Sequence, residues 1–103
     1  DLKDYQKAEH FYLEALSKEG IKPANHYTYF SELLDLYRYG LIDKVKSMKL
    51  IERFLKEIPD DSNMYSLAAQ YYKEEGNFVK AKELYEKMLL TLKAQYIILI
   101  YYY

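Results

Sequence analysis

The sequence predicts an all-α chain of antiparallel helix-turn-helix repeats, a fragment of an α-solenoid. Three observations predict it. Apolar residues recur at helical spacing through most of the chain. Turn formers are scarce, with 3 Gly and 2 Pro in 103 residues, so long helices must be joined by short connections. A small residue followed four later by a large one recurs as Ala8/Tyr12, Ser47/Ile51 and Ala81/Tyr85, at intervals of 39 and 34 residues. A period in that range marks stacked helical hairpins.

The first helix carries Tyr5, Ala8, Tyr12, Ala15 and Leu16 on one stripe. The segment KEGIKPANH, 18–26, interrupts it, with Gly20 and Pro23 as breakers and Asn25 as the expected N-cap of the second helix. That helix carries Phe30, Leu33, Leu34 and Tyr37, and Gly40 marks the turn after it. Asp43 is the expected N-cap of a third helix, whose stripe is Val45, Met48, Ile51, Phe54, Leu55 and Ile58. PDDS, 59–62, ends it, because proline cannot continue a helix and Asp and Ser favour the next cap. The fourth helix carries Tyr65, Ala68, Ala69 and Tyr72. It breaks at Gly76-Asn77, where glycine can adopt positive φ. The fifth carries Phe78, Ala81, Leu84, Tyr85, Met88 and Leu89. The pattern gives five helices of about 12 to 15 residues each, then an apolar tail, YIILIYYY, 96–103.

Composition excludes several function classes. Net charge is −1, so there is neither the basic excess of a nucleic-acid binder nor an acidic solvating tract. Without cysteine there are no disulfides, thiolate metal sites or thiol nucleophiles, which fits a reducing cytoplasm. The N-terminal segment DLKDYQKAEH lacks the basic and apolar regions of a signal peptide. The longest apolar run falls far short of the roughly 20 residues that span a bilayer, so no membrane partner is expected. A chain opening on Asp1 rather than Met is expected to be a piece of something longer.

Residues 62–95 carry a specific motif. Tyr65, Ala68, Ala69, Tyr72, Ala81 and Tyr85 stand where the 34-residue tetratricopeptide (TPR) pattern has its signature positions, and Lys93 stands where it has proline. This stretch resembles a full TPR repeat. Residues 27–60 resemble a degenerate one, with Ser47 at the usual alanine, and residues 1–17 match only the second half of a repeat. A TPR domain over 1–95 is the expectation, with 96–103 as the start of a truncated or self-associating helix. By periodicity Tyr96 should open another repeat.

Little in the chain can carry chemistry. There is no Gly-rich phosphate loop, HExxH, GxSxG or EF-hand pattern. His10 reads as a surface histidine and His26 as a helix-start residue, rather than a metal ligand or general base. Asp60-Asp61 reads as capping and dipole compensation, and Glu74-Glu75 as a solvated helix end. Tyr5, Tyr12, Tyr37, Tyr65, Tyr72 and Tyr85 are expected in the core, whereas Tyr27, Tyr29, Tyr39, Tyr71 and the tail are less explained. No catalytic residue, metal or cofactor is expected.

In TPR arrays the binding groove is lined by the first helix of each repeat. Helical geometry puts Thr28, Ser31, Asp35 and Arg38 on that face in the middle repeat, with Tyr39 at its edge, and Asn63, Ser66, Gln70 and Lys73 in the last. One reading is an ordinary solvated face; the other is a groove for an extended peptide. Asn63 and Gln70 would then pair with backbone amides, Arg38 or Lys73 with a carboxylate, and Asp35 with a basic side chain. The tail is apolar on every side, opposite to the polar cap a solenoid needs, and self-association through Tyr96–Tyr103 is expected from it.

The run YQKAEHFYLEAL, HYTYFSELLDLY and LAAQYYKEEGNFVKAKELYEKML is also similar to the C-terminal repeats of Rap-type response-regulator aspartate phosphatases and related Gram-positive peptide-pheromone receptors. The resemblance implies part of a signalling-peptide-binding region, cytoplasmic, with a response regulator as partner of the full-length protein. The catalytic helical bundle of that family has no counterpart here, so no enzyme is expected in this piece alone. A general TPR scaffold for complex assembly, or a phosphatase fragment that has lost its catalytic bundle, are the alternatives.

Overall fold

The computed structural model describes residues 1–18 and 23–102. Among these residues it is helical apart from short connections, with five α-helices: α1 (Leu2–Ser17), α2 (Pro23–Asp35), α3 (Lys44–Glu57), α4 (Ser62–Glu74) and α5 (Phe78–Tyr102). The chain divides into two compact units, Asp1–Glu57 and Ile58–Tyr103.

In the first unit α2 packs against both α1 and α3. Asp1 caps α1, accepting from the amides of Lys3 and Asp4. The expected breaker Gly20 lies outside the described residues. Asn25 is not the cap of α2: the helix starts two residues earlier, at Pro23. Proline suits a first helical position because its missing N–H would have no intrahelical partner there. Phe30, Leu33, Leu34 and Tyr37 form the centre of the core as predicted, joined by Leu16 from α1 and by Leu50, Ile51 and Phe54 from α3. The rings of Phe30 and Phe54 meet at 5.5 Å.

The sequence pattern misplaces the buried face of α3. Val45 and Met48 are exposed, and the buried row is Ser47, Leu50, Ile51 and Phe54. Ser47 can be buried because its hydroxyl donates to the Asp43 carbonyl at 2.9 Å. Asp43 is the N-cap as expected, its carboxylate accepting from the Lys46 amide at 3.0 Å.

α2 does not end at a simple turn. Leu36–Gly40 widen into a π-helical turn, with the Leu41 amide donating to the Leu36 carbonyl at 2.8 Å. Such turns are rare and are found at functional sites more often than chance. Gly40 is needed for closeness rather than for positive φ. A Cβ there would stand 3.1 Å from the Leu36 side chain and 3.2 Å from the Tyr5 ring. The left-handed residue is Ile42, with φ of 50° and 79% exposed. A β-branched side chain is strained in that conformation.

The second unit is a helical hairpin. Asp61 caps α4 through bonds to the amides of Asn63 and Met64 at 2.9 and 3.1 Å, while Asp60 takes the left-handed conformation that Asp tolerates. Gly76, at φ 84°, ends α4 as predicted. The Asn77 amide reaches back to the Tyr72 carbonyl and the Gly76 amide to that of Lys73, which together make a Schellman motif. Asn77 then caps α5, accepting from the Lys80 amide at 3.2 Å. Ala68, Ala69, Ala81 and Leu84 are buried where the two helices pack.

Several tyrosines depart from expectation. Tyr71 is buried, whereas Tyr65, Tyr72 and Tyr85 are half-buried and Tyr5 is exposed. The buried row of α4 is Met64, Ala68 and Tyr71, one residue back from the Tyr65–Ala69–Tyr72 row. Ala69 is buried beside it. On α5, Phe78 and Leu89 are exposed.

α5 also runs through the position where a new helix was expected at Tyr96. At 1.5 Å per residue its 25 residues extend about 37 Å, against about 20 Å for the 13 of α4, so α4 covers only half of it. Residues 96–101 are each more than half exposed, which rules out the tail folding back into a groove of its own unit. Tyr103 lies outside the described residues.

Candidate functional site

The residues assigned to a binding face lie in two rows, one in each unit. On α2 and its π-helical extension, Thr28 and Asp35 are exposed, and Ser31 and Arg38 are half-buried. Along α4, Asn63, Gln70 and Lys73 are exposed and Ser66 is half-buried. Not one of the eight belongs to the core. Arg38 and Gln70 are among those engaged within their own helix. The Arg38 guanidinium lies 4.9 Å from the centre of the Tyr39 ring, and the Gln70 amide donates to Glu74 at 3.4 Å. The wider π turn advances each residue by less than an α-helical turn does, so Arg38 sits off the row that ideal helical spacing draws through Thr28, Ser31 and Asp35.

A cleft of about 500 Å³ opens beside the first row, between α1 and the end of α2. It is lined by Tyr5, Ala8 and Tyr12 from α1 and by Glu32, Asp35, Leu36, Tyr39 and Gly40. Asp35 and Tyr39 were assigned to a binding face from the sequence. Tyr5 and Tyr12 were assigned to the core instead, and Glu32 was passed over. The Tyr12 hydroxyl donates to Glu32, and that bond, with burial and the neighbouring charge, raises the Tyr12 pKa above its ordinary value. The sequence signal for Glu32 is its spacing. It stands three before Asp35 and seven before Tyr39, on the flank of the apolar stripe.

A second cleft, of about 430 Å³, lies between α1 and α3 of the same unit. Glu9, Leu13, Tyr37, Leu50, Lys46, Lys49 and Arg53 line it. Its polar centre is Glu9, whose side chain is only 16% exposed. Lys46 Nζ donates to it at 2.9 Å, and the Tyr37 hydroxyl donates as well. Burial alone would raise the Glu9 pKa; the two hydrogen bonds and the Lys46 charge outweigh it and hold the carboxyl below its ordinary value. Tyr37 is pushed far upward, by burial first and then by its bond to Glu9. Lys46 is raised, chiefly by the bond to Glu9. The arrangement joins α1 to α3 over the π turn, and the sequence reading did not find it.

The histidines lie apart. His10 is exposed, with Nε2 3.7 Å from Glu14. His26 is half-buried at the fourth position of α2, its ring edge-on to Phe30 at 6.3 Å. Among the described residues no three of His, Asp and Glu are grouped to hold a metal ion, and no helix is long and apolar enough to cross a membrane. Compared with known proteins, the chain matches no protein-family model, no curated protein and no solved structure.

Proposed function

We propose that this chain is a TPR-type module that binds a short peptide or an extended protein segment, and that it is the signalling-peptide-binding part of a Rap-type cytoplasmic regulator. The observation that carries the reading is the way α4 and α5 meet. Ala68, Ala69 and Ala81 are buried on either side of a left-handed Gly76, and the polar row Asn63, Gln70 and Lys73 stays exposed on α4. Small residues let the two backbones approach closely, which frees the other face of α4 from packing duty. Exposed amide, carboxamide and ammonium groups on such a face can pair with the backbone and charges of an extended chain. In this reading the module performs no catalysis, and a response regulator would be met by other parts of a longer protein.

Titration calorimetry of the chain with peptides of 5 to 7 residues tests the reading. Saturable heat that Asn63→Ala and Gln70→Ala together reduce supports it; no heat with any peptide removes it. A second reading, a scaffold that assembles through its tail, is favoured by the exposed apolar residues 96–101. Sedimentation of the chain with and without residues 96–103 tests that one, and an unchanged mass excludes it.

A further inference from the structure

We propose that the cleft between α1 and α3 binds a small organic acid, a carboxylate on an aliphatic or aromatic body. The proposal goes beyond the peptide-binding reading and does not depend on it, because the cleft lies wholly within the first unit.

The charge balance of the lining selects the head group. Lys46, Lys49, Leu50 and Arg53 stand at i, i+3, i+4 and i+7, on one face of α3. Glu9 and Leu13 face them from one turn of α1, and Tyr37 completes the cleft from the π turn. Three cations thus share the cleft with a single carboxylate. Glu9 is already satisfied, since Lys46 Nζ donates to it at 2.9 Å and the Tyr37 hydroxyl donates as well. Lys49 and Arg53 remain, one helical turn apart. Lys49 is exposed and forms no ion pair among the described residues. Arg53 meets Glu57 through Nε at 2.9 Å, and Glu57 does not line the cleft. The terminal nitrogens of the Arg53 guanidinium belong to the planar fork that a carboxylate accepts in two parallel bonds.

The rest of the lining selects the body. Tyr37 and Leu50 are buried and Leu13 is exposed beside them. The Tyr37 hydroxyl is given to Glu9, so the phenol offers a ligand its ring. A hydrated inorganic anion gains little from such a surface, whereas hydrocarbon leaves water there. A volume of about 430 Å³ lies within the range of small-molecule sites, which are mostly apolar with a few placed polar groups. The cleft between α1 and the end of α2 has the opposite lining, with the carboxylates of Glu32 and Asp35 and no cation, and repels the same ligand.

The test is an amide-resolved NMR titration of the full chain with octanoate, 1-octanol and inorganic phosphate. Octanol lacks the charge and phosphate lacks the body. Octanoate should bind saturably, shift the amides of Leu13, Lys49, Leu50 and Arg53, and bind about tenfold more tightly than either of the others. Lys49→Gln with Arg53→Gln should lower octanoate binding to the level of octanol while the helical circular dichroism spectrum stays unchanged. Should that double variant unfold, Lys49→Gln alone, at an exposed position, gives the reading: octanoate about threefold weaker and octanol unaltered. Equal binding of octanoate and octanol would overturn the carboxylate assignment, and equal binding of octanoate and phosphate the apolar body. Octanoate shifts confined to residues 96–102 of α5, or no shift with any probe, would overturn the site itself.

Discussion

Replacing Glu9 by alanine strips the acceptor from a phenol that the fold holds 5% exposed. The cost can be worked from the two donors it abandons. The Tyr37 hydroxyl is left buried with its Glu9 bond gone, which costs about 1–3 kcal/mol. Lys46 has a side chain 48% exposed and rehydrates readily, so its lost ion pair adds at most about 1 kcal/mol. Glu9→Ala should therefore destabilise the first unit by about 1–4 kcal/mol. Tyr37→Phe removes the hydroxyl itself and leaves Glu9 with Lys46, so it should cost less, about 0.5–1.5 kcal/mol. Once phenylalanine is in place, Glu9→Ala no longer strands a donor, and the two substitutions should couple by about 1–2 kcal/mol. Urea unfolding followed by circular dichroism measures all three variants. A Glu9→Ala cost below about 0.5 kcal/mol, or strict additivity in the double variant, would refute the reasoning.

The same carboxylate sets a pH dependence. Its folded pKa lies below the ordinary value, so its stabilisation is present above the ordinary carboxylate range and is lost as pH falls through the folded value. The stability gap between wild type and Glu9→Gln should be full at pH 7 and should close in acid; a gap that widens on acidification would contradict the assignment. Gly76→Ala forces a Cβ into a left-handed turn and should cost about 1 kcal/mol by thermal unfolding, although no neighbour stands within 4 Å. Ile42→Asn relieves a β-branched residue at φ 50° and should raise stability by about 0.5–1 kcal/mol. Asp61→Ala removes the cap of α4 and should cost about 1 kcal/mol, read by the same unfolding curves.

The helices were legible because local rules act alone at their ends. Asp43, Asp61 and Gly76 each do what their side chains dictate within one turn of the backbone. Which flank of a helix is buried was less legible, because α3 and α4 carry apolar residues on two adjacent rows. Both Val45–Met48 and Ser47–Leu50 extend to Ile51, and only the partner helix selects between them. Tyr71 and Tyr72 pose the same ambiguity on α4. The tail was misplaced for a different reason. Periodicity asked for a break at Tyr96, but residues 86–102 contain no glycine, proline or asparagine to make one.

None of the eight residues assigned to the polar faces is in the core, although Ser31, Arg38 and Ser66 are half-buried. What spacing could not supply was the third dimension of the first row. Glu32 and Tyr12 are 20 positions apart in the chain, and their hydrogen bond exists only once α1 packs on α2. The Glu9–Tyr37–Lys46 contact likewise joins three helical segments. Helical periodicity is blind to such pairs because it compares residues within one helix.

Peptide binding by the exposed row of α4 is the central claim, and a residue-by-residue map of a bound peptide tests it most directly. With a tight-binding hexapeptide, amide shifts should concentrate at Asn63, Ser66, Gln70 and Lys73 of α4, leaving the exposed face of α3 around Val45 and Met48 still. Shifts confined to residues 96–102 of α5, or spread evenly over the surface, would contradict it.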